Sequence, residues 1–298
     1  MMLTILTPTY NRAEELKRLG DSLLAQTSKD FEWLVIDDGS SDETAAVVND
    51  FSSQASFPVR YVKKDNGGKH TAINLGVSMI SSGLTFIVDS DDWLTEDAVS
   101  TILDVHSHYK NREDVCGYSF LRAFPDGTIN GSRFECDGLI GSYIDVRVNS
   151  DDTGADKAEV FRTQCLREFP FPEFPGEHFL GEDLVWVRMG RKYDMVHVNK
   201  AIYIGDYLDD GLTNNRRINN ISSPHGCMMR ASEFMKPDLR LRYRIKGAIQ
   251  YLVYGMFTDS SISKLIGRSE FKWLSLVCLF PALMIHASWR RQYVSASK

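Results

Sequence analysis

Between residues 2 and 89, four short apolar runs alternate with three stretches of helical spacing, and this order narrows the choice of fold more than any other feature. Residues 2–7 (MLTILT) predict a buried strand, followed by a loop at Pro8–Asn11. In 12–25, Leu16, Leu19, Leu23 and Leu24 recur at helical spacing. Residues 31–37 (FEWLVID) predict a second strand that ends in Asp37-Asp38-Gly39. Ser40 and Glu43 then stand three apart before AAVVNDF, the pattern of a capping box opening a second helix. Residues 58–63 predict a third strand, 69–80 a third helix after Gly67-Gly68, and 84–88 (LTFIV) a fourth strand ending at Asp89. Such alternation predicts an α/β fold, a mostly parallel sheet with covering helices. Its polar clusters fall at the carboxyl ends of the strands, where open α/β sheets bind ligands.

Beyond residue 110 the rhythm breaks. Residues 111–178 hold turn chemistry (PDG, SDDTG, PFPEFPGEH) between short apolar pieces. Glu182 to Arg191 predicts a helix and 194–205 strands, whereas 206–226, polar and rich in Gly and Asn, reads as a mobile loop over a site. A chain of 298 residues suits one large domain or two packed subdomains. Five scattered cysteines, odd in number and without a CxxC spacing, argue against a disulfide framework or structural zinc and for a reducing compartment. The opening MMLTILTPTYNR lacks the basic lead and long apolar stretch of a signal peptide, so the fold is expected to start near residue 2 in the cytosol. From Arg240 onward ten Lys/Arg face only Asp259 and Glu270, a balance of +8 that leaves −14 for the rest of a chain whose total is −6. An acidic body argues against nucleic acid as a partner, and a basic tail suggests a second, different partner.

The sharpest chemical signal is Asp89-Ser90-Asp91-Asp92, directly after the fourth apolar run. Three carboxylates in four residues repel one another unless they are solvated or hold a cation. Mg²⁺ or Mn²⁺, bound by one or two carboxylates plus phosphate oxygens, suits them. A calcium loop of EF-hand type does not, because its sixth position would be Leu94 instead of Gly and its twelfth Ser100 instead of Glu. A plain solvated turn before a helix starting at 95 is the competing reading. Asp37-Asp38-Gly39-Ser40-Ser41-Asp42 also has a bland reading, since a strand-to-helix turn needs a cap, but capping leaves Asp37 and Asp38 unexplained. A carboxylate there can accept from a base N–H or a ribose hydroxyl. Tyr10 is read either as a stacking partner for a base or as a core aromatic.

Thr7-Pro8-Thr9-Tyr10-Asn11-Arg12, Val35-Ile36-Asp37-Asp38-Gly39-Ser40-Ser41-Asp42, Asn66-Gly67-Gly68 and Asp89-Ser90-Asp91-Asp92 together resemble, in order and spacing, the family 2 glycosyltransferases of GT-A fold. The likeness is strong over 2–95 and looser to about residue 215. It implies a Rossmann-like, mostly parallel sheet flanked by helices, with a helical C-terminal extension. Residues 1–110 would form the nucleotide-sugar-binding half, 111–226 the acceptor half with the catalytic base, and 227–298 a basic, apolar helical region. The resemblance implies that Pro8, Thr9, Tyr10, Asn11 and Asp38 line the base and ribose pocket, and Asn66, also expected at the nucleotide, matches the polar position that opens the Gly-Gly stretch before the third helix. It implies that Asp91 binds Mn²⁺ or Mg²⁺ on the donor diphosphate, with Asp89 and Ser90 at the nucleotide, Asp89 also in the metal shell, and Asp92 a further ligand. Many family members carry Ala-Arg-Asn in the third helix; here Ile73 stands at the arginine's place, and Lys69 or His70 is the candidate for its charge.

Gly181-Glu182-Asp183-Leu184-Val185-Trp186 resembles the family's Glu-Asp pair at a helix start, which makes Asp183 the expected general base and Glu182 an acceptor ligand or alternative base. A carboxylate at a helix N-terminus also simply complements the macrodipole. Arg216 and Arg217, after Asp209-Asp210-Gly211, are candidates for closing over the diphosphate, and His225 for the metal shell, against the plainer reading of a solvated loop histidine. Residues 273–287 (WLSLVCLFPALMIHA) are apolar between Lys272 and Arg290-Arg291. Interrupted by Pro281, they fall short of the ~20 residues a membrane span needs. Basic flanks with Phe271, Trp273 and Trp289 suit a helix lying at an anionic membrane surface, with packing on the domain or in a homo-oligomer as the alternative. The resemblance implies inverting, metal-dependent transfer from a nucleotide-sugar, with UDP as the default donor nucleotide. The acceptor expected is a lipid-linked glycan, as in surface-polysaccharide assembly, at the cytoplasmic face of the membrane. A sugar nucleotidyltransferase is disfavoured, since TPTYNRAEEL holds no Gly-rich activation loop, and a non-catalytic scaffold is disfavoured by the retained Asp89, Asp91 and Asp183.

Overall fold

A computed structural model describes residues 2–150, 155–206, 216–258 and 260–294. The chain forms two compact units, Met1–Phe171 with Met189–Tyr207, and Pro172–Arg188 with Leu208–Lys298.

The first unit is built on a nine-stranded sheet. Its strands are β1 (Leu3–Thr9), β2 (Phe31–Asp37), β3 (Val59–Lys63), β4 (Leu84–Ile87), β5 (Trp93–Leu94), β6 (Val115–Ala123), β7 (Leu139–Ser142), β8 (Lys157–Arg162) and β9 (Asp194–Ile204). They lie in the order β3-β2-β1-β4-β8-β6-β9-β5, with β7 also on β9. The first four strands pair in parallel, and β8 then joins antiparallel to both β4 and β6. Helices α1 (Ala13–Leu24), α2 (Thr44–Gln54), α3 (Lys69–Met79), α4 (Ala98–Tyr109) and α5 (Thr163–Glu168) belong to this unit.

β1 and β2 are buried along their whole length, which is why both read as apolar runs without alternation. Leu3, Ile5, Phe31, Trp33 and Phe86 pack with Leu16, Leu19 and Leu23 of α1 in one core cluster. The buried hydroxyls find partners, Thr7 Oγ1 accepting from the Trp33 indole at 3.0 Å and Thr4 Oγ1 donating to Glu32 at 2.7 Å. α3 lies so close to β1 that a Cβ on Gly76 would stand 2.3 Å from Leu6 Cδ1. β1 extends two residues past its expected end, through Pro8 and Thr9. The Val88 N–H donates to the Leu6 carbonyl on the β4 side, and the Asp38 N–H to the Thr9 carbonyl on the β2 side. Pro8 therefore faces the β4 side, beyond the last β1–β4 pair at Leu6, and its missing N–H breaks no ladder bond.

Several other expectations are corrected. No Ser40–Glu43 capping box forms; α2 starts at Thr44 with no side-chain cap from Glu43. Asp42 takes the work over, accepting from the Thr44 N–H at 3.2 Å and from the Ala13 N–H, at the start of α1, at 3.0 Å. The helix expected from 95 begins at Ala98. The acceptor segment contains a nine-residue buried strand, β6, and the expected strands over 194–205 form one strand, β9.

The second unit is helical, with α6 (Asp183–Met189) ending at its boundary, then α7 (Arg216–Ser222), α8 (Pro224–Glu233), α9 (Leu241–Gly255), α10 (Ile262–Arg268), α11 (Lys272–Val277) and α12 (Leu279–Trp289). Residues 216–226, expected as loop, are thus mostly helix, while 207–215, with Asp209-Asp210-Gly211, lie outside the described residues. Ala231, Met235, Ala248, Leu252, Leu265 and Ala282 form its core.

Candidate active site

The chain reverses direction across the sheet at β1. The strands that follow it, β2 and β3, stack on one side, and β4 returns to the other. The carboxyl ends of β1 and β4 therefore flank a topological switch point, where ligands bind in open α/β sheets. Asn11 and Asp89 lie just past those two ends.

Two loops on the β2 side are tied to each other through main-chain groups. Asn11 adopts a left-handed φ of 50°. Its N–H donates to Ser40 Oγ at 2.8 Å, and its Oδ1 accepts from the Ser41 N–H at 2.7 Å. Asp37 accepts from the Ser40 N–H at 2.7 Å and from the Tyr61 hydroxyl. Asp38 is buried and accepts from the N–H groups of Gly67 (3.0 Å) and Gly68 (2.7 Å) and from Lys64 Nζ (2.7 Å). The Asp38 carboxylate thus fixes the Gly67-Gly68 loop. Gly39, at φ 93°, lets that loop pass with the Asn66 nitrogen only 3.0 Å from where a Cβ would be. Asn66 and Tyr10 are exposed at the rim, Tyr10 by 50%. Pro8 and Thr9 are buried, and the Thr9 hydroxyl has no hydrogen-bond partner among the described residues.

On the β4 side, Asp89, Asp91 and Asp92 each offer a carboxylate oxygen within 4.8 Å of the others. Burial and then repulsion from Asp89 push the Asp91 carboxyl up, and Asp92 is pushed up to about 7, chiefly by burial and against the pull of Arg122. Both shifts report negative charge crowded where water is scarce, the condition a divalent cation relieves. The three residues are not equivalent. Asp92 Oδ1 accepts from Arg122 at 2.8 Å and its Oδ2 from the Tyr203 hydroxyl at 2.7 Å. Tyr203 in turn accepts from the Asp89 N–H at 3.1 Å. Arg18 of α1 donates to the Asp91 carbonyl at 2.6 Å while lying 3.9 Å over the Trp93 ring. Lys69 Nζ reaches Asp89 Oδ1 at 2.5 Å. With both Asp92 oxygens engaged and Asp89 Oδ1 paired to Lys69, the second Asp89 oxygen and the Asp91 carboxylate remain as hard oxygen donors, and two carboxylates completed by phosphate oxygens fit Mg²⁺ or Mn²⁺.

Ser90 is buried within this loop. Ile73 is 1% exposed and belongs to the core, so the position of the family arginine carries no charge here. Lys69, at the start of α3, brings a cation to the acidic loop, whereas His70 is buried.

In the second unit, Asp183 opens α6 and is held from two sides by one arginine. Arg230 Nε donates to Oδ1 at 2.6 Å and Nη2 donates to Oδ2. Burial alone would raise the Asp183 carboxyl, but Arg230, with Arg216 adding to it, brings it below the usual carboxylate range. Gly181 leaves room for this fork, since a Cβ there would lie 3.0 Å from Asp183 Oδ1 and 3.4 Å from Arg230. Glu182 precedes it, partly exposed, its carbonyl accepting from the Val185 N–H at 2.9 Å. Arg217 lies 3.9 Å over the Trp289 ring. His225 Nδ1 is 2.7 Å from Glu177, whose carboxylate also accepts from the His225 and Gly226 N–H groups at the start of α8.

Residues 4–142, which carry all of this first-unit geometry except Tyr203, match the family described as glycosyl transferase family 2. The chain carries a family 2 glycosyltransferase domain. Glycosyltransferase GlyA of Streptococcus pneumoniae serotype 4 is 34% identical over 100 residues, 34% of this chain and 14% of that protein. The chain thus spans a small part of such curated relatives. Its fold is shared with S. aureus TarS 1–349 in complex with UDP-GlcNAc (TM-score 0.64, 18% identity, 95% of this chain and 80% of that one). It is also shared with the mannosyltransferase PcManGT of Pyrobaculum calidifontis in complex with GDP-Man and Mn²⁺ (TM-score 0.58, 15% identity, 98% and 83%). At these identities the two structures establish the GT-A architecture of the family 2 domain, expected from its motifs.

Sequence reasoning missed Arg122, Tyr203, Arg18 and Arg230. Arg122 left a trace, because a lone cation inside the apolar run VCGYSFLRA needs a buried partner. Tyr203 and Arg230 left none, being far in sequence from the carboxylates they hold.

Proposed function

We propose that the chain transfers a sugar from a UDP-sugar to a hydroxyl of a lipid-linked glycan, with inversion, at the cytoplasmic face of the membrane. The observation that carries this reading is the Asp89–Asp91–Asp92 group at the switch point of the sheet. Pro8, Thr9, Tyr10, Asn11, Asp38 and Asn66 frame the base and ribose, with Asp38 acting by fixing the Gly67-Gly68 wall. Asp89 and Asp91 would hold Mn²⁺ or Mg²⁺, which supplies Lewis-acid stabilisation of the leaving diphosphate. Asp92, locked by Arg122 and Tyr203, shapes the loop from behind. Lys69 brings a positive charge to the place where the diphosphate binds.

Asp183 accepts the proton of the acceptor hydroxyl as that oxygen bonds to the anomeric carbon and the bond to the diphosphate oxygen breaks. Arg230 keeps Asp183 ionised and aimed. A carboxylate held this low is a weak base, which suits a transition state in which the sugar bond opens ahead of proton transfer. The same Arg230 fork favours a second reading of Asp183, as a purely structural partner. Asp183→Asn separates the two. As general base, its loss lowers the turnover of folded enzyme by ~10²–10⁴-fold with nucleotide binding little changed; a purely structural role leaves that turnover intact, and loss of the Arg230 fork lowers the thermal midpoint on either reading.

The donor class is tested by calorimetric titration of UDP, GDP and dTDP with and without Mn²⁺. UDP binding that needs the metal and disappears in Asp91→Ala supports the proposal. Metal-dependent binding of GDP or dTDP alone overturns the choice of nucleotide, and no binding of any of the three overturns the enzymatic reading.

A further inference from the structure

We infer that α11 and α12 form a docking face for an anionic lipid surface. The two helices are apolar on opposite sides. One side, with Ser275, Cys278 and Ala282, is buried in the core of the second unit, where Ser275 Oγ meets Ser269 Oγ at 2.9 Å. The other presents Trp273 (82% exposed), Val277 (74%), Phe280 (74%) and Met284 (62%). These residues recur at intervals of three or four, and the stripe runs through the joint at Cys278, whose φ of −85° and ψ of 0° keep the right-handed helical path. Pro281 causes no break because it sits in the first turn of α12, where its missing N–H is no loss. A helix that is apolar all round is made to be covered on every side.

Charge selects what covers it. Lys272 opens the stripe, Arg290 and Arg291 follow it, all three exposed, and no acidic residue occurs from 271 to the end of the chain. A second copy placed antiparallel on this face would bring Lys272 of one molecule against Arg290 and Arg291 of the other, like charge on like. A layer of anionic headgroups meets both ends with opposite charge, while its acyl boundary receives the stripe. Trp273, beside Lys272 at one end, is the residue type that settles at headgroup level. No helix among the described residues is long and apolar enough to cross a membrane, so the contact is a helix pair lying on the surface.

This inference stands on the surface alone and is tested without any sugar transfer. The full chain is sedimented with vesicles of phosphatidylcholine, with or without phosphatidylglycerol, across a salt series. Binding to the phosphatidylglycerol vesicles that weakens with salt is expected. It should fall on the order of tenfold or more in the double variant Val277→Asp/Phe280→Asp, since binding follows buried apolar area. In Lys272→Glu/Arg291→Glu its salt dependence should flatten. Both variants change exposed side chains, and an unaltered thermal midpoint confirms folding. Absence of vesicle binding, or binding that the Val277/Phe280 pair does not affect, overturns the inference. So does light scattering that shows a dimer in the wild type and a monomer in that variant without vesicle binding, because a second copy then covers the face.

Discussion

Asp92 shows how little a residue's type says about its task until its neighbours are known. In sequence it is one of three carboxylates in four residues; in the structure Arg122 and Tyr203 occupy one of its oxygens each, whereas Asp89 gives only one oxygen, to Lys69. Tyr203 is the hinge of this division, because its hydroxyl donates to Asp92 and accepts from the Asp89 N–H. Outer partners of this kind typically change metal affinity by ~10–100-fold when removed. Tyr203→Phe is therefore expected to weaken Mn²⁺ binding by that factor, read by paramagnetic resonance of free Mn²⁺, with the fold intact; unchanged affinity would exclude the role. Arg230→Gln tests the other carboxylate. Without the guanidinium the Asp183 carboxyl rises from its lowered position, so the acid limb of the pH–rate profile moves to higher pH. The identity of Asp91 and Asp183 as residues of interest was legible because motifs sit in one stretch of chain. Their partners were not, since a hydrogen bond between residues 92 and 203 leaves no local pattern.

At the level of elements, the strands of the N-terminal half were legible because burial on both faces makes them continuous apolar runs bounded by turns. β6 was lost among turn residues, and α7 was hidden by its asparagines and arginines, with no buried residue to give it a periodicity. The Ser40–Glu43 capping expectation failed for a tertiary reason: Ser40 receives the Asn11 N–H from another loop, and Asp42 takes over the ends of two helices. The end of β9 carries a similar constraint. A Cβ on Gly205 would fall 1.9 Å from Asp92 Oδ1 and 2.1 Å from Arg122 Nη2. Gly205→Ala must then push the buried ion pair apart or displace the strand end. A loss of about 1–3 kcal/mol in denaturant unfolding is expected, together with weaker Mn²⁺ binding. A substitution without effect on either measurement would show that the strand end yields freely.

For the whole molecule, carboxylates in both units are held below their ordinary range by partners, among them Asp42 and Asp97 in the first and Asp183 and Glu233 in the second. A carboxyl whose folded value lies below its unfolded one adds stability above the unfolded value, and that stability is lost as pH falls through the folded one. The thermal midpoint should therefore fall below about pH 4 as these four carboxylates lose their charge, whereas Asp92, raised to about 7, works the other way and costs stability as pH rises toward neutrality. Asp183→Asn should make that acid slope shallower. The separation of the chain into two units, with 172–188 joining the C-terminal helices, had no sequence signal, because it depends on which surfaces meet and not on any change of composition. The loops tied together by Asn11, Asp38 and Gly39 carry a consequence for how such a chain diversifies. Their shape is written in main-chain N–H groups and three positive-φ backbone positions, Asn11, Gly39 and Gly68, so a point substitution there collapses the wall before it can reshape it. New donor preferences would then arise through insertions and deletions that change loop length, or at rim residues such as Tyr10 and Asn66, and seldom by exchange of the residues that tie the loops.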